Sequence, residues 1–245
     1  MSDTWIIVGA TSAIARAFAR KCAEKGDTLH LLGRDMPELK RLAADCKLRG
    51  AADALAIAFD ARKPEKFEAI VDKAALTSGS LNAAVFVGSM PAQADIDADP
   101  GLIDGVVQDS FTGPARFLQS LAPELEARGS GTIIGVTSVA GDRGRIGNYV
   151  YGAAKAGFAT YLSGLRNRLA RKGAHVITVK PGFVDTGMTW GNEGMFLVAS
   201  PEEIADSLMK AVVKKKNVIY TPFFWRYIML IIRNIPEFIF KKMSI

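Results

Sequence analysis

Histidine and cysteine are nearly missing from this chain. Its 245 residues hold two of each, His30 and His175, Cys22 and Cys46, which argues against a histidine-based metal site and against a charge-relay triad. Both cysteines fall in segments of helical pattern. They show neither metal-ligand spacing nor the density of a disulfide-stapled secreted fold, a usage that suits a reducing cytoplasm. Residues 1–10 lack a basic flank followed by a long apolar run, so they read as neither a secretory leader nor a membrane span. A clustered basic face is missing too. The formal net charge is +6, yet the cations are spread along the chain apart from Lys214-Lys215-Lys216 and the C-terminus. Without interleaved stacking aromatics, they argue against a nucleic-acid partner, and the lysine run reads as a solvated helix end.

What is present is apolar sequence at regular intervals. With 49% hydrophobic and 23% charged residues, the chain can close one sizeable core. Short apolar runs at 5–8, 29–32, 55–58, 83–87, 133–136 and 176–179 alternate with helix-length segments at 14–25, 37–48, 66–76, 102–127 and 149–172. Such runs suit strands covered on both faces, and strand-helix alternation argues for a parallel sheet with right-handed crossovers. The expected fold is α/β: a doubly wound, Rossmann-type parallel sheet flanked by helices, in a single domain of residues 1–222. An amphipathic C-terminal helical tail, 223–245, follows it, and ligands belong at the carboxyl ends of the strands.

Directly after the first run comes Gly9-Ala10-Thr11-Ser12-Ala13-Ile14-Ala15, opening the first helix. A tight turn there aims backbone N–H groups and a helix N-terminus at a pyrophosphate, with Gly9, Thr11, Ser12, Ala13 and Ile14 as contacts. Ala13 and Ala15 stand where two further glycines would complete the dinucleotide fingerprint; alanine is the smallest replacement and still permits close approach. The second run ends at Leu32-Gly33-Arg34-Asp35. An acidic residue at that tip would hold the free 2′-hydroxyl of NAD. A small residue followed by arginine leaves room and charge for the 2′-phosphate of NADP(H), unless Arg34 only caps a surface turn. Asp60, after the third run, falls beside the adenine in such a fold or is a solvated loop aspartate.

The most specific feature is Thr137-Ser138-Val139-Ala140-Gly141, followed by Tyr151-Gly152-Ala153-Ala154-Lys155 within a helix. Tyr151 and Lys155, four apart, share one helix face. An ammonium beside a phenol lowers the tyrosine pKa toward the working pH and makes Tyr151 a general acid. Ser138, at a strand's carboxyl end, can hydrogen-bond a substrate carbonyl oxygen as it gains charge. The hydride itself belongs to the cofactor.

On the Gly9 turn, Asp60, Ser138, Tyr151, Lys155 and the run Lys180-Pro181-Gly182-Phe183-Val184-Asp185-Thr186, the chain resembles the short-chain dehydrogenase/reductase superfamily over nearly its whole length. The resemblance implies an NADP(H)-dependent oxidoreductase acting on a carbonyl or alcohol, assembled as a dimer or tetramer through long helices. It also implies that Pro181 and Gly182 line the nicotinamide, with the Val184 backbone and the Thr186 hydroxyl as further contacts. Two departures stand out. The family's Asn-Asn-Ala-Gly is here Phe86-Val87-Gly88-Ser89, which puts Gly88 at the cofactor, and Ser110 stands where the family places a catalytic asparagine. A serine there alters the usual proton relay, spares the Tyr-Lys core, and leaves open a non-catalytic NADP-sensing protein.

Arg143 and Arg145, in the loop before Tyr151, fall where substrate would enter; they would clamp a phosphate or stay simply exposed. The tail is rich in Trp, Tyr, Ile, Leu and Phe. If helical, it sets Arg226, Arg233, Glu237 and Lys241 near one stripe, as in a helix lying in a membrane interface. Arg233 and Pro236 interrupt the run of about 20 apolar residues that a span requires. Asn234, ahead of Pro236, would start a second short helix, and the alternative is a helix pair packed on the core or on a neighbouring subunit. The Gly-Asp-Arg-x-Arg loop, the run at 181–189 and the tail resemble the decaprenylphosphoryl-2-keto-ribose reductases. That likeness implies a polyprenyl-phosphate-linked keto-pentose as substrate, a separate flavin oxidase as partner and a place at the inner membrane face. Reduction of another lipid-linked ketone, or of a soluble one, is the alternative.

Overall fold

Seven strands, β1 (Thr4–Val8), β2 (Thr28–Gly33), β3 (Asp53–Ala58), β4 (Leu81–Val85), β5 (Thr132–Val136), β6 (His175–Pro181) and β7 (Val218–Thr221), build one sheet. All pairings are parallel, in the order β3-β2-β1-β4-β5-β6-β7. The structure, a computed structural model, describes residues 2–77, 79–185 and 198–244.

Helices α1 (Ala13–Glu24), α2 (Met36–Leu48) and α8 (Pro201–Val213) cover one face, and α3 (Phe67–Ala75), α6 (Gly113–Arg128) and α7 (Tyr149–Ala170) the other, while the short α4 (Gln93–Ala98) packs through Ile96 in the cluster around Tyr151. Both faces are therefore dry, which is why β1 and β4 are buried at every position. The pleat divides β1 between two cores: Trp5 and Ile7 meet Phe18, Leu39 and Ile204, while Ile6 and Val8 meet Phe67, Phe117 and Phe158. Strand order reverses beside β1, which has β2 on one side and β4 on the other. The reversal opens a crevice at the carboxyl ends of β1 and β4, where doubly wound sheets bind ligands.

Three features differ from the sequence expectation. The helix expected over 102–127 forms without a break, but one of its turns is π-helical, at Gln108–Thr112, between α5 (Leu102–Val107) and α6. Pro114 has no N–H for the ladder, Gly113 packs on the Ala61 backbone, and Arg62 grips Asp109 with two 2.8 Å hydrogen bonds, so the wider turn is locked in place. The alternation pattern omits α8 and β7. The first has a readable signal, a capping box in which Ser200 accepts from the Glu203 N–H and the Glu203 carboxylate accepts from the Ser200 N–H, with Pro201 in the first turn. Lys214, Lys215 and Lys216 follow the end of α8 and are exposed, as a solvated helix end should be.

The tail forms a pair of helices, with the second short one that the sequence offers near Pro236. Pro236 separates α9 (Trp225–Asn234) from α10 (Glu237–Phe240). Trp225 and Met229, one turn apart, are buried against Val139, with Ile228 and Ile232 packed beside them. The opposite face stays in solvent: Phe223, Tyr227, Leu230, Ile231 and Phe238 are each at least 59% exposed.

Candidate active site

The Gly9 turn sits at the head of the crevice. Gly9 has φ +77°, and a Cβ there would come 3.0 Å from Val87 Cγ1 and 3.2 Å from the Phe86 backbone, so glycine keeps the turn close to β4. Ser12 caps α1 by accepting from the Ala15 N–H at 3.4 Å, and the helix's first turn faces the crevice. A cavity of about 260 Å³ joins Gly9, Gly33, Arg34 and Asp60. It shares Thr11, Ser12, Phe86, Val87 and Gly88 with a second cavity of about 450 Å³ that runs to Ser138, Tyr151 and Lys155. The larger cavity also takes in Ala13, Ile14, Pro181, Gly182 and Val184, whereas Thr186 lies outside the described residues. A groove with a helix N-terminus at its middle, an exposed guanidinium at one end and hydroxyls at the other offers the donors a dinucleotide requires, so the residues fit NAD(P)H.

Ser138 ends the strand side of the larger cavity, its Oγ accepting from the Ala140 N–H at 3.1 Å. Gly152 lets this segment press onto α7, since a Cβ there would stand 2.7 Å from the Ala140 carbonyl oxygen. That approach brings Ser138 into hydrogen-bond contact with the buried Tyr151 phenol. Lys155, one turn along, is buried as well and donates to the carbonyls of Val87 (3.0 Å) and Val136 (3.2 Å).

The electrostatics correct the sequence expectation. Burial pushes the Tyr151 phenol up to about 12, with the Ser138 hydrogen bond pulling the other way, and burial pushes the Lys155 ammonium down to about 8. The cation does not depress the phenol because its Nζ is turned toward two backbone carbonyls, 5.8 Å from the centre of the tyrosine ring. Near neutral pH the site therefore holds a protonated phenol beside an ammonium, a pair suited to giving a proton rather than taking one.

A family model described as short chain dehydrogenase matches residues 3–194. The chain belongs to the short-chain dehydrogenase family. It is 31% identical over 239 residues to an uncharacterized oxidoreductase of Mycobacterium tuberculosis, covering 97% of this chain and 96% of the relative. Its fold matches a short-chain dehydrogenase from Sphingobium yanoikuyae in complex with NADPH (TM-score 0.81, 23% identity, 97% of each chain). It also matches a 3-oxoacyl-[acyl-carrier protein] reductase from Brucella melitensis (TM-score 0.78, 21% identity, 89% of each chain). The protein is an NAD(P)-dependent oxidoreductase.

Within this dehydrogenase, two expected site residues take other tasks. Ser110 does not line the cavity; wholly buried in the π-helical turn, its hydroxyl accepts from the Ser89 N–H at 3.2 Å and donates to the Ser89 carbonyl at 3.4 Å. It holds the Gly88 strand end from behind. Arg143 turns away from the cavity and clamps the tail: Nη1 donates to the carbonyls of Ile232 and Ile235 at 2.6 Å, Nη2 pairs with Glu237 at 2.8 Å, and the guanidinium lies over the Phe240 ring. The Ile235 carbonyl lies past the end of α9, and the Ile232 carbonyl takes only a long 3.4 Å bond from the Ile235 N–H, so both attract a cation and this arginine is captured.

Arg145 does face the cavity. Met90, Asn148 and Phe183 also line it and are among the contacts that were not expected. Of these only Asn148 carried a sequence signal, as an Asn at the start of a helix. The tail also reaches the site. Trp225 packs edge-on to Phe183, 5.4 Å between ring centres, and presses on Gly182 so closely that a Cβ there would overlap its indole.

Proposed function

We propose that this dehydrogenase works as an NADPH-dependent ketone reductase, and that its ketone is the 2-keto sugar of a polyprenyl-phosphate-linked pentose. The observation that carries the reading is the meeting of the Ser138 and Tyr151 hydroxyls on one wall of a mainly apolar cavity continuous with the dinucleotide groove. Gly33 and Arg34 at the tip of β2 favour NADP(H) over NAD, because they offer charge and space where a carboxylate would serve a free ribose hydroxyl. When bound, NADPH supplies the hydride.

The chain's own groups do the rest. Ser138 holds the carbonyl oxygen by a hydrogen bond. Tyr151 gives its proton to that oxygen as the carbon gains hydride, so C=O becomes CH–OH and the phenol becomes phenolate. Lys155 holds the nearest positive charge, and its Nζ would have to swing from the Val87 and Val136 carbonyls toward the phenol oxygen to offset the phenolate once it forms.

The tail's exposed Leu230, Ile231 and Phe238, with Arg226, Lys241 and Lys242 beside them, suit contact with an anionic membrane surface at the inner face, where a lipid-linked sugar would be met. Among the described residues no helix is long and apolar enough to cross a membrane. Such a reductase would work after a flavin oxidase that creates the ketone, and as a dimer or tetramer through α6 and α7.

The apolar cavity favours one other substrate class, a ketone on an acyl chain. NADPH oxidation with a polyprenylphosphoryl keto-pentose separates the two. Turnover is expected, and its failure beside turnover of an acyl or soluble ketone replaces the substrate. Vesicle flotation of a Leu230→Ser, Ile231→Ser, Phe238→Ser variant tests the surface: binding should be lost, and unchanged binding removes the membrane from the account.

A further inference from the structure

The loop between Ser138 and Tyr151 carries two polar atoms whose burial the structure leaves uncompensated. Among the described residues, Arg145 Nε and Asn148 Oδ1 are both shielded from solvent without a hydrogen-bond partner, and both residues line the larger cavity. They are held side by side by a four-residue turn, closed by the Asn148 N–H donating to the Arg145 carbonyl at 3.2 Å. Asn148 is the N-cap residue of α7, where an asparagine ordinarily satisfies a backbone N–H of the first turn with its side chain. Here it makes no such bond.

Among the described residues Arg145 has no ion pair of its own. Burial lowers its pKa, and the carboxylate that acts on it, Asp142, is already held by Lys180 and by the Tyr220 hydroxyl at 2.7 Å. Arg143, two residues away, is captured by the tail. A buried donor and a buried acceptor kept vacant beside a proton-donating tyrosine are groups arranged for a ligand, since buried polar atoms in folded proteins are otherwise paired.

We infer that Arg145 and Asn148 form a recognition subsite for a substrate bearing an anionic oxygen and a hydroxyl near its ketone, as a phosphorylated keto-sugar does, and that this pair selects such ketones over plain aliphatic ones. The inference rests on the reductase reading for its catalytic consequence, but not for binding. The guanidinium meets the anionic oxygen, the Asn148 amide oxygen accepts from the hydroxyl, and the apolar walls of Met90 and Phe183 take the remainder.

The test uses the full chain with NADPH and two soluble probes, a 2-keto-pentose 5-phosphate and an aliphatic 2-ketone of the same carbon count. Calorimetry gives the affinity for the sugar phosphate, and steady-state kinetics give kcat/KM for both probes. Arg145→Gln and Asn148→Ala should each weaken sugar-phosphate binding, by about 100-fold for the arginine and about tenfold for the asparagine. The selectivity ratio should fall with them, mainly through KM, and Arg145→Lys should restore part of it. NADPH fluorescence titration checks that the fold is intact. A wild type that does not bind the sugar phosphate overturns the inference, as does an equal loss on both probes. A wild type that binds it tightly but reduces no ketone keeps the subsite and overturns the reductase reading instead.

Discussion

The two ends of the crevice are built by opposite means. The cofactor end uses short-range devices: a glycine turn, a serine cap and a helix N-terminus, all set within a few residues of a strand end. At the substrate end the devices are long-range. Asp142 is tied to Lys180 and Tyr220, Arg143 to carbonyls 89 and 92 residues further on, and Gly182 to the indole of Trp225. A common cofactor can be read by backbone, whose geometry is insensitive to most substitutions. A particular substrate requires side chains, and here the loop that carries them is held by residues from β6, β7 and the tail.

That contrast can be broken, from the largest expected effect to the smallest. Gly182→Ala should damage the substrate end most, since its methyl would overlap Trp225; overpacking of this kind destabilises by about 1–3 kcal/mol, read as a lowered Tm. Arg34→Ala should act only at the cofactor end. The ratio of kcat/KM for NADPH over NADH should drop about 30-fold, the worth of a charge-assisted contact to the 2′-phosphate, with NADH kinetics little altered.

The pH profile probes the boundary between the two ends. Because burial lowers Lys155 to about 8, its proton is present at pH 7 and is lost as pH rises through that value. The reduction rate should then fall, by about tenfold per pH unit above it if the cation is required. A flat profile to pH 10 would separate Lys155 from the chemistry. Arg143→Ala should have the smallest effect on turnover while loosening the tail: limited proteolysis within 235–243 should speed up several-fold, and unchanged cleavage would mean that the clamp contributes little.

How much could be read in advance follows the same division. The strands, the Gly9 turn and the serine-tyrosine-lysine set are local patterns, and the structure brings them to one crevice. The long helix expected over 102–127 is there, but its π-helical turn at Gln108–Thr112 was not legible, because it depends on Arg62, in the turn after β3, holding Asp109. The tail's amphipathic stripe was legible, but not which face would be buried, since Trp225 and Met229 find their partners at Val139 and Phe183. Arg143 and Arg145 look alike in sequence. Only the position of α9's final carbonyls decides that one is captured and the other left facing the cavity.

The most direct measurement is single-turnover reduction by Tyr151→Phe with NADPH already bound. If the phenol delivers the proton, the rate should fall about 1,000-fold while NADPH affinity stays within about twofold of wild type. A variant that reduces the ketone at near the wild-type rate would contradict the account.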